Sequence, residues 1–177
     1  EPSPHPLDAP GILLDRRMVW VDTGLSERSR LNGSWANDHE ATICSDLVRS
    51  MRPAPGQPGG PSLAILTPYR DQVEALEARM SEHADKVFTV DRFQGREADV
   101  VVASLVRDRV RPMASPASAV GFVADPARIN VLMSRARELL VIVGRFDLFA
   151  HQAGPNWRAV AERFMSEGRV VKAEQLR

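Results

Sequence analysis

Two segments of the sequence concentrate side chains that suit contacts with phosphates. Residues 89–99 read T-V-D-R-F-Q-G-R-E-A-D, and residues 130–137 read N-V-L-M-S-R-A-R. Gly95 in the first segment permits a backbone conformation, or a close approach of a ligand, that a side chain would prevent. Near the second segment, Arg128 and Arg135 are seven residues apart and share one face of a predicted helix. These polar groups on an otherwise apolar helix indicate a function beyond packing.

Arginine dominates the basic residues of the chain. Of its 23 basic residues, 21 are arginine, and only Lys86 and Lys172 are lysine. Arginine favours planar, bidentate contacts with carboxylate or phosphate groups. A genome rich in G and C would produce the same bias, so both explanations stand.

Alternating strand and helix patterns surround these segments. Apolar, β-prone runs predict strands at residues 18–23, 62–67, 87–90, 99–106 and 138–144. Helical spacing predicts helices at residues 37–51, 71–81 and 156–166, and another that begins at Asp125 and Pro126. This alternation predicts an α/β fold with a parallel sheet flanked by helices.

In such a sheet, ligands bind where loops follow the carboxyl ends of the strands. Three stretches are therefore expected to meet at that edge: residues 67–70, residues 91–97 and the helix after Pro126. The Thr67 hydroxyl and the free amides of the helix that follows can hold a phosphate.

Composition limits the class of protein. A chain of 177 residues fits one domain, and 44% hydrophobic with 26% charged residues is typical of a soluble globular protein. Basic and acidic residues balance at 23 each, so net charge alone indicates no nucleic-acid partner. Four prolines in residues 1–16 predict a leader or linker, and residues 17–177 are expected to form the domain.

Cysteine content and hydropathy bear on location. Cys44 is the single cysteine, which excludes an intramolecular disulfide, and it is expected to pack as a small apolar residue. No run approaches the roughly 18 to 20 apolar residues that cross a bilayer. We therefore expect a cytoplasmic protein without membrane contact. Because the sequence begins at Glu1 rather than methionine, we also expect it to be a segment of a longer protein.

The order of these segments resembles the C-terminal RecA-like domain of superfamily 1 helicases, an AAA-type domain, in the subgroup typified by the helicase of nonsense-mediated mRNA decay. Residues 35–41, W-A-N-D-H-E-A, resemble that family's N-x-x-E-A stretch, and residues 65–76, I-L-T-P-Y-R-D-Q-V-E-A-L, resemble motif IV. Residues 89–107 resemble motif V, and residues 121–137, which end in N-V-L-M-S-R-A-R, resemble motif VI. The likeness covers about residues 19–144, and four motifs in the family's order argue against chance.

The resemblance implies a P-loop NTPase fold and a division of labour among the residues. Arg135 aligns with the arginine finger that meets the γ-phosphate, and its fixed charge would stabilise the transition state. The other implied nucleotide contacts are Gln94, Gly95, Glu97 and Arg137, with Glu97 near the ribose. The implied nucleic-acid contacts are Thr67, Pro68, Tyr69, Thr89, Ser104 and Arg107.

The resemblance also implies cofactor and partners. The sequence contains no G-x-x-x-x-G-K-[ST] loop, whose backbone amides and lysine surround nucleotide phosphates. ATP with Mg²⁺ would therefore be bound mainly by an N-terminal RecA-like domain of the same parent protein, and this chain alone would be inactive as an ATPase. The expected substrate is single-stranded DNA or RNA.

Other interpretations remain for several of these residues. The chain can be a non-catalytic module, derived from a helicase domain, that binds nucleic acid or protein. Arg137 can be a surface charge, Arg107 and Glu97 can each form ordinary ion pairs, and Tyr69 can be a core residue. Asp91 fits a structural acceptor better than a catalytic acid.

Two metal chemistries are disfavoured by the sequence. His39 and Glu40 begin like H-E-x-x-H, but Ile43 occupies the second histidine position, which excludes a zinc protease, and the other histidines show no metal-ligand spacing. Asp91, Glu97 and Asp99 resemble a nuclease cluster only weakly, because no lysine follows closely.

Overall fold

The computed structural model describes residues 7–26, 34–53, 60–109, 115 and 120–176. The strands are β1 (Leu7–Asp8), β2 (Met18–Asp22), β3 (Arg52–Pro53), β4 (Leu63–Thr67), β5 (Val87–Thr89), β6 (Ala98–Ser104), β7 (Ala136–Gly144) and β8 (Arg169–Lys172). The helices are α1 (Gly11–Leu14), α2 (Asp38–Ser50), α3 (Arg70–Arg79), α4 (Pro126–Ser134), α5 (Phe146–His151) and α6 (Pro155–Ser166). Turns of 3-10 helix include Asp91–Phe93 and Gly121–Ala124.

Six of the strands form one parallel sheet in the order β5-β4-β6-β7-β2-β8. The central strands β6 and β7 are near-continuous apolar runs, as expected for strands that are buried on both faces. Strands β1 and β3 pair separately and antiparallel. The sheet with its flanking helices confirms the predicted α/β, RecA-like architecture.

Alternate residues of each strand separate the core into two layers. Trp20, Leu140 and Ile142 pack with α4, α5 and α6 on one face of the sheet. On the opposite face, other strand residues pack with α1, α2 and α3; they include Val19, Val21, Val100, Val102, Val141 and Val143. The period of two along a strand produces this division.

Cys44 lies in the second of these layers, on α2, and is fully buried as a free thiol. It packs as the small apolar residue that the sequence predicted. Burial raises the pKa of its thiol well above the usual value, and the nearby Glu40 carboxyl adds to this effect.

Helix starts follow the predicted capping chemistry. The Asp125 carboxylate accepts hydrogen bonds from the amides of Ala127 (2.8 Å) and Arg128 (3.3 Å), and Pro126 occupies the first turn of α4. Asn37 caps α2 by accepting a hydrogen bond from the Glu40 amide at 3.1 Å.

Several predicted boundaries need correction. Strand β5 ends at Thr89, because Val90 adopts helical angles, and β6 ends at Ser104 rather than at Val106. The short helix α5 and the edge strand β8 were not predicted, since neither carries a long periodic pattern.

Within the predicted leader, residues 1–6 lie outside the described part of the chain. Helix α1 buries Leu13 completely, so part of this segment packs on the domain. The division at residue 16 stays a prediction. Among the described residues, no helix is both long and apolar enough to cross a membrane.

Candidate functional site

The predicted site residues lie at two opposite ends of the parallel sheet. Glu97 precedes the amino end of β6, and Arg135 precedes the amino end of β7, where Ala98 and Ala136 are paired. Thr67, Thr89 and Ser104 lie at the carboxyl ends of β4, β5 and β6. The expectation that the three stretches meet at the carboxyl edge therefore holds only for their first residues, such as Tyr69, Asp91 and Arg128. It is wrong for Glu97 and Arg135, because the loop after β5 and helix α4 each run toward the amino ends of the next strands.

Arg135 lies at the C-terminal end of α4 and is half-buried. Its guanidinium donates to Ser134 Oγ from Nε (3.1 Å) and Nη2 (2.9 Å), and from Nη1 to the Arg96 carbonyl (3.4 Å). Ser134 Oγ in turn donates to the carbonyl of Asn130 at 2.7 Å. Within the described residues Arg135 forms no ion pair, so neutral oxygen atoms orient its charge without neutralising it.

The segment from Gln94 to Glu97 is exposed beside Arg135. Gly95 has a φ of +80°, and a Cβ built there would meet nothing within 4 Å, so backbone conformation explains the glycine rather than lack of space. The Arg96 guanidinium lies over the rings of Phe88 (4.5 Å) and Phe93 (5.1 Å). These contacts fix the segment against the core while its polar edge faces solvent.

Arg137 differs from Arg135 in that carboxylates surround it. Its Nε donates to Glu97 Oε2 at 3.1 Å, and its Nη1 lies 3.4 Å from Asp99 Oδ1. The Ser62 hydroxyl and amide also donate to Asp99, and together with Arg137 they lower the pKa of that carboxyl. Glu97 therefore forms the ion pair with a neighbouring arginine that was one of its two interpretations.

A groove of about 680 Å³ opens at the carboxyl ends of β4 and β5. Three of the predicted nucleic-acid contacts, Pro68, Tyr69 and Thr89, line it. The remaining lining residues are Ser34, Trp35, Arg70, Asp71, Glu74, Asp91 and Phe122. Tyr69 is only 9% exposed, and its ring lies 6.1 Å from that of Phe122, so it belongs to the groove wall and to the core.

The other predicted nucleic-acid contacts are buried. The side chains of Thr67 and Ser104 are fully inaccessible, and Arg107 is 3% exposed. The Arg107 guanidinium lies 5.3 Å from the centre of the Trp35 ring. Contact of these three residues with a nucleic acid stays a prediction, and it would require backbone atoms or local rearrangement.

A buried polar network occupies the carboxyl end of β6. Glu40 Oε2 accepts hydrogen bonds from the Ser104 hydroxyl and from the Val106 amide, both at 2.7 Å. The Gln72 side-chain amide donates to Ser104 Oγ (2.9 Å) and to the Asn37 carbonyl (3.1 Å). The network holds the backbone where β6 ends, at the turn in which Val106 has a φ of +69°.

Glu40 is the centre of this network and was not predicted to have a role. Burial raises the pKa of its carboxyl to about 8, against hydrogen bonds that lower it, and the buried Asp108 raises it further. Glu40 is the glutamate of the N-x-x-E-A stretch noted in the sequence, and its position on the helix is a second signal. Glu40 is four residues before Cys44 and seven before Leu47, which places a carboxyl on the apolar face of α2.

Arg128 joins the groove to the start of α4. It forms a bidentate pair with Asp91, from Nε at 3.0 Å and from Nη2 at 3.1 Å, and its Nη1 donates to Asp125 at 3.1 Å. Its guanidinium also lies 3.3 Å from the centre of the Phe122 ring. Asp91 is thus a structural acceptor, as its surroundings in the sequence suggested.

Comparison with known families places most of the chain in one of them. The profile of the AAA domain family matches residues 10–147. This range contains every residue of the two surfaces described above.

Individual relatives agree with the family match. Regulator of nonsense transcripts 1 of Dictyostelium discoideum is 30% identical over 159 residues, which are 85% of this chain and 11% of that protein. ATP-dependent helicase NAM7 of Saccharomyces cerevisiae is 30% identical over 164 residues, 88% of this chain and 16% of that protein. DNA polymerase alpha-associated DNA helicase A of the same yeast is 30% identical over 141 residues, 74% of this chain and 20% of that protein. The chain thus spans a fifth or less of the length of these relatives.

Proposed function

The chain belongs to the AAA domain family, as a helicase-related domain of the kind found in the C-terminal region of helicases of the nonsense-mediated-decay type, and from this premise we propose that it is the second motor domain of an ATP-dependent helicase or translocase. In this proposal it supplies an arginine finger and part of a nucleic-acid track. An N-terminal RecA-like domain of the same parent protein supplies the loop that binds the nucleotide phosphates.

The observation that carries the proposal is that the guanidinium of Arg135 is held by neutral hydrogen-bond acceptors. Arg128 and Arg137 each pair with carboxylates, whereas the hydrogen bonds of Arg135 in the described residues go to the hydroxyl of Ser134 and the carbonyl of Arg96. A guanidinium held by neutral acceptors retains its attraction for an external anion. The γ-phosphate of a nucleotide on the facing domain is such an anion, and positive charge there stabilises phosphoryl transfer.

The neighbouring residues fit the remainder of a nucleotide. Gln94 and the Gly95 backbone are exposed and directly precede Arg96, whose carbonyl accepts a hydrogen bond from Arg135, and they suit contacts with phosphate oxygens. Glu97, oriented by Arg137, suits acceptance of a hydrogen bond from a ribose hydroxyl. ATP with Mg²⁺ would supply the transferable phosphoryl group, and this chain's residues would position charge and hydrogen bonds around it.

The groove at the opposite end of the sheet is the proposed nucleic-acid surface. Its aromatic residues Trp35 and Phe122 can stack on bases, the largely buried Tyr69 completes the wall beneath them, and the exposed Arg70 can meet a phosphate. Residues 90–97 run from this groove to the amino end of β6, so one continuous segment contributes to both proposed binding surfaces.

The test compares the chain alone with the chain joined to the sequence that precedes it in its gene. We expect the joined protein to hydrolyse ATP and single-stranded DNA or RNA to stimulate it, whereas the chain alone hydrolyses none. If the joined, folded protein binds single strands but shows no ATPase activity under any condition, the chain is instead a non-catalytic module derived from a helicase domain.

A further inference from the structure

Helix α4 connects the two proposed ligand surfaces physically. Its first turn lies beside the groove, where Phe122 and Asp91 form part of the wall, and its C-terminal end carries Arg135. Nine residues at 1.5 Å each make the helix about 13 Å long. Ile129 and Leu132 bury one side of it in the core, so the helix is constrained along its length.

Arg128 fixes the groove end of this helix through four contacts of one side chain. Both oxygens of Asp91 accept from it, Asp125 accepts a third hydrogen bond, and the ring of Phe122 packs against its plane. Asp125 also caps the helix, so the cap, the helix and the groove wall share one guanidinium. Only a planar group with several donors can satisfy this arrangement, and a lysine ammonium cannot.

We propose that Arg128 is a positioning residue that couples occupation of the groove to the placement of Arg135. The proposal rests on the proposed function, because it assigns the groove to a single strand and Arg135 to a nucleotide. A base that stacks on Phe122, or a group that contacts Asp91, acts directly on the partners of Arg128. Because α4 is a short rigid element, a shift of its first turn is carried to Arg135 at the other end.

Coupling of this kind is measured as a ratio of affinities. In the joined protein, fluorescence anisotropy gives the affinity for a fluorescein-labelled single strand with and without saturating AMP-PNP and Mg²⁺. The nucleotide is expected to change that affinity on the order of fivefold or more. In Arg128→Lys we expect the ratio to fall toward one, while the affinity for each ligand alone stays near that of the unsubstituted protein.

Two further variants separate coupling from general stability. Asp91→Asn weakens the contact between Arg128 and residue 91 from the groove side and should also lower the affinity ratio. It therefore tests the coupling role even if Arg128→Lys does not fold. Arg49→Lys is the matched control, because Arg49 also pairs with a carboxylate, that of Glu82 at 3.7 Å, and neither residue lines the groove. Thermal denaturation establishes that each variant is folded.

The outcomes distinguish this proposal from the proposed function. An unchanged ratio in folded Arg128→Lys and Asp91→Asn overturns the coupling role while leaving the motor assignment intact. An equal fall of the affinity ratio in Arg49→Lys also overturns it. If the unsubstituted joined protein binds neither strand nor nucleotide, the proposed function itself fails, and the coupling role fails with it.

Discussion

The side-chain oxygen Oε2 of Glu40 accepts a hydrogen bond from the backbone amide of Val106 at 2.7 Å, across 66 residues of sequence. Val106 has a positive φ, which a β-branched residue adopts only when its surroundings impose it. The buried carboxyl of α2 therefore determines the backbone path that follows the central strand β6.

This arrangement predicts a specific dependence of stability on pH. Burial raises the pKa of Glu40 to about 8 from the ordinary value of 4.5, so between these values the folded protein keeps a proton that the unfolded chain loses. The stabilisation that comes from protonated Glu40 is fully present below pH 4.5, and it is lost as the pH rises toward about 8. The maximum slope for one proton is about 1.4 kcal/mol per pH unit.

Urea denaturation across this pH range checks the prediction. We expect the free energy of unfolding to decline with rising pH in the unsubstituted chain and to decline less in Glu40→Gln, which keeps the shape without the charge. Glu162→Gln, an exposed change on α6, serves as control. Equal slopes in all three proteins would show that Glu40 does not cause the dependence.

Substitution of Arg135 should abolish stimulated turnover in the joined protein. Arginine fingers contribute about 10³-fold or more to kcat, so Arg135→Ala should lose at least that factor while the protein still binds a single strand. Arg135→Lys should recover only part of it. Stimulated ATPase assays measure this, and turnover that survives Arg135→Ala would remove the finger assignment.

The glycine at position 95 should be required both for stability, because its φ is positive, and for ATPase activity. Gly95→Ala places a side chain at a φ of +80° and should cost about 1 kcal/mol of stability. Gly24→Ala is a matched control, because Gly24 has a φ of +64° and equally open space. Both variants should lose similar stability, whereas only Gly95→Ala should lower ATPase activity. A similar loss of activity in both would indicate a global effect.

Gly168 should be required for packing alone. A Cβ there would lie 2.6 Å from the carbonyl oxygen of Met18, a contact that forces α6 and β2 apart. Gly168→Ala should therefore destabilise the chain by about 1 to 3 kcal/mol. Gly11→Ala, with nothing within 4 Å, should be nearly neutral. Thermal denaturation compares the two, and equal melting temperatures would contradict the clash.

The isolated chain should bind single strands weakly, and rising salt should weaken the binding with a shallow slope, because few basic residues are available for phosphates. It should bind ATP weakly, because it lacks the phosphate-binding loop. Anisotropy titrations in rising salt and calorimetry with ATP measure both properties. Micromolar ATP binding by the chain alone would contradict the division between two domains.

The sequence was sufficient for elements with strong local signals. The apolar runs of β6 and β7 and the capping pair Asp125 and Pro126 predicted their elements to within about two residues. Short elements such as α5 and β8 were missed, because tertiary packing rather than periodicity stabilises them.

Site residues were harder to place than elements. Thr67 and Ser104 carry the motif residue types, but their strand positions direct the side chains into the core. Arg135 and Arg137 look alike in the sequence, and only the neighbouring carboxylates of Glu97 and Asp99 distinguish them. Such differences depend on which strands pair, and local patterns do not contain that information.

The single buried thiol of Cys44 makes this chain a convenient object for spectroscopy. A cysteine introduced on the surface can be labelled with a dye while Cys44 stays protected, so no native residue has to be removed. Under conditions that open the fold, the rate at which Cys44 reacts reports how often the layer beneath α2 is exposed. Changes at the labelled surface and opening of the core can thus be followed by two reagents on one molecule.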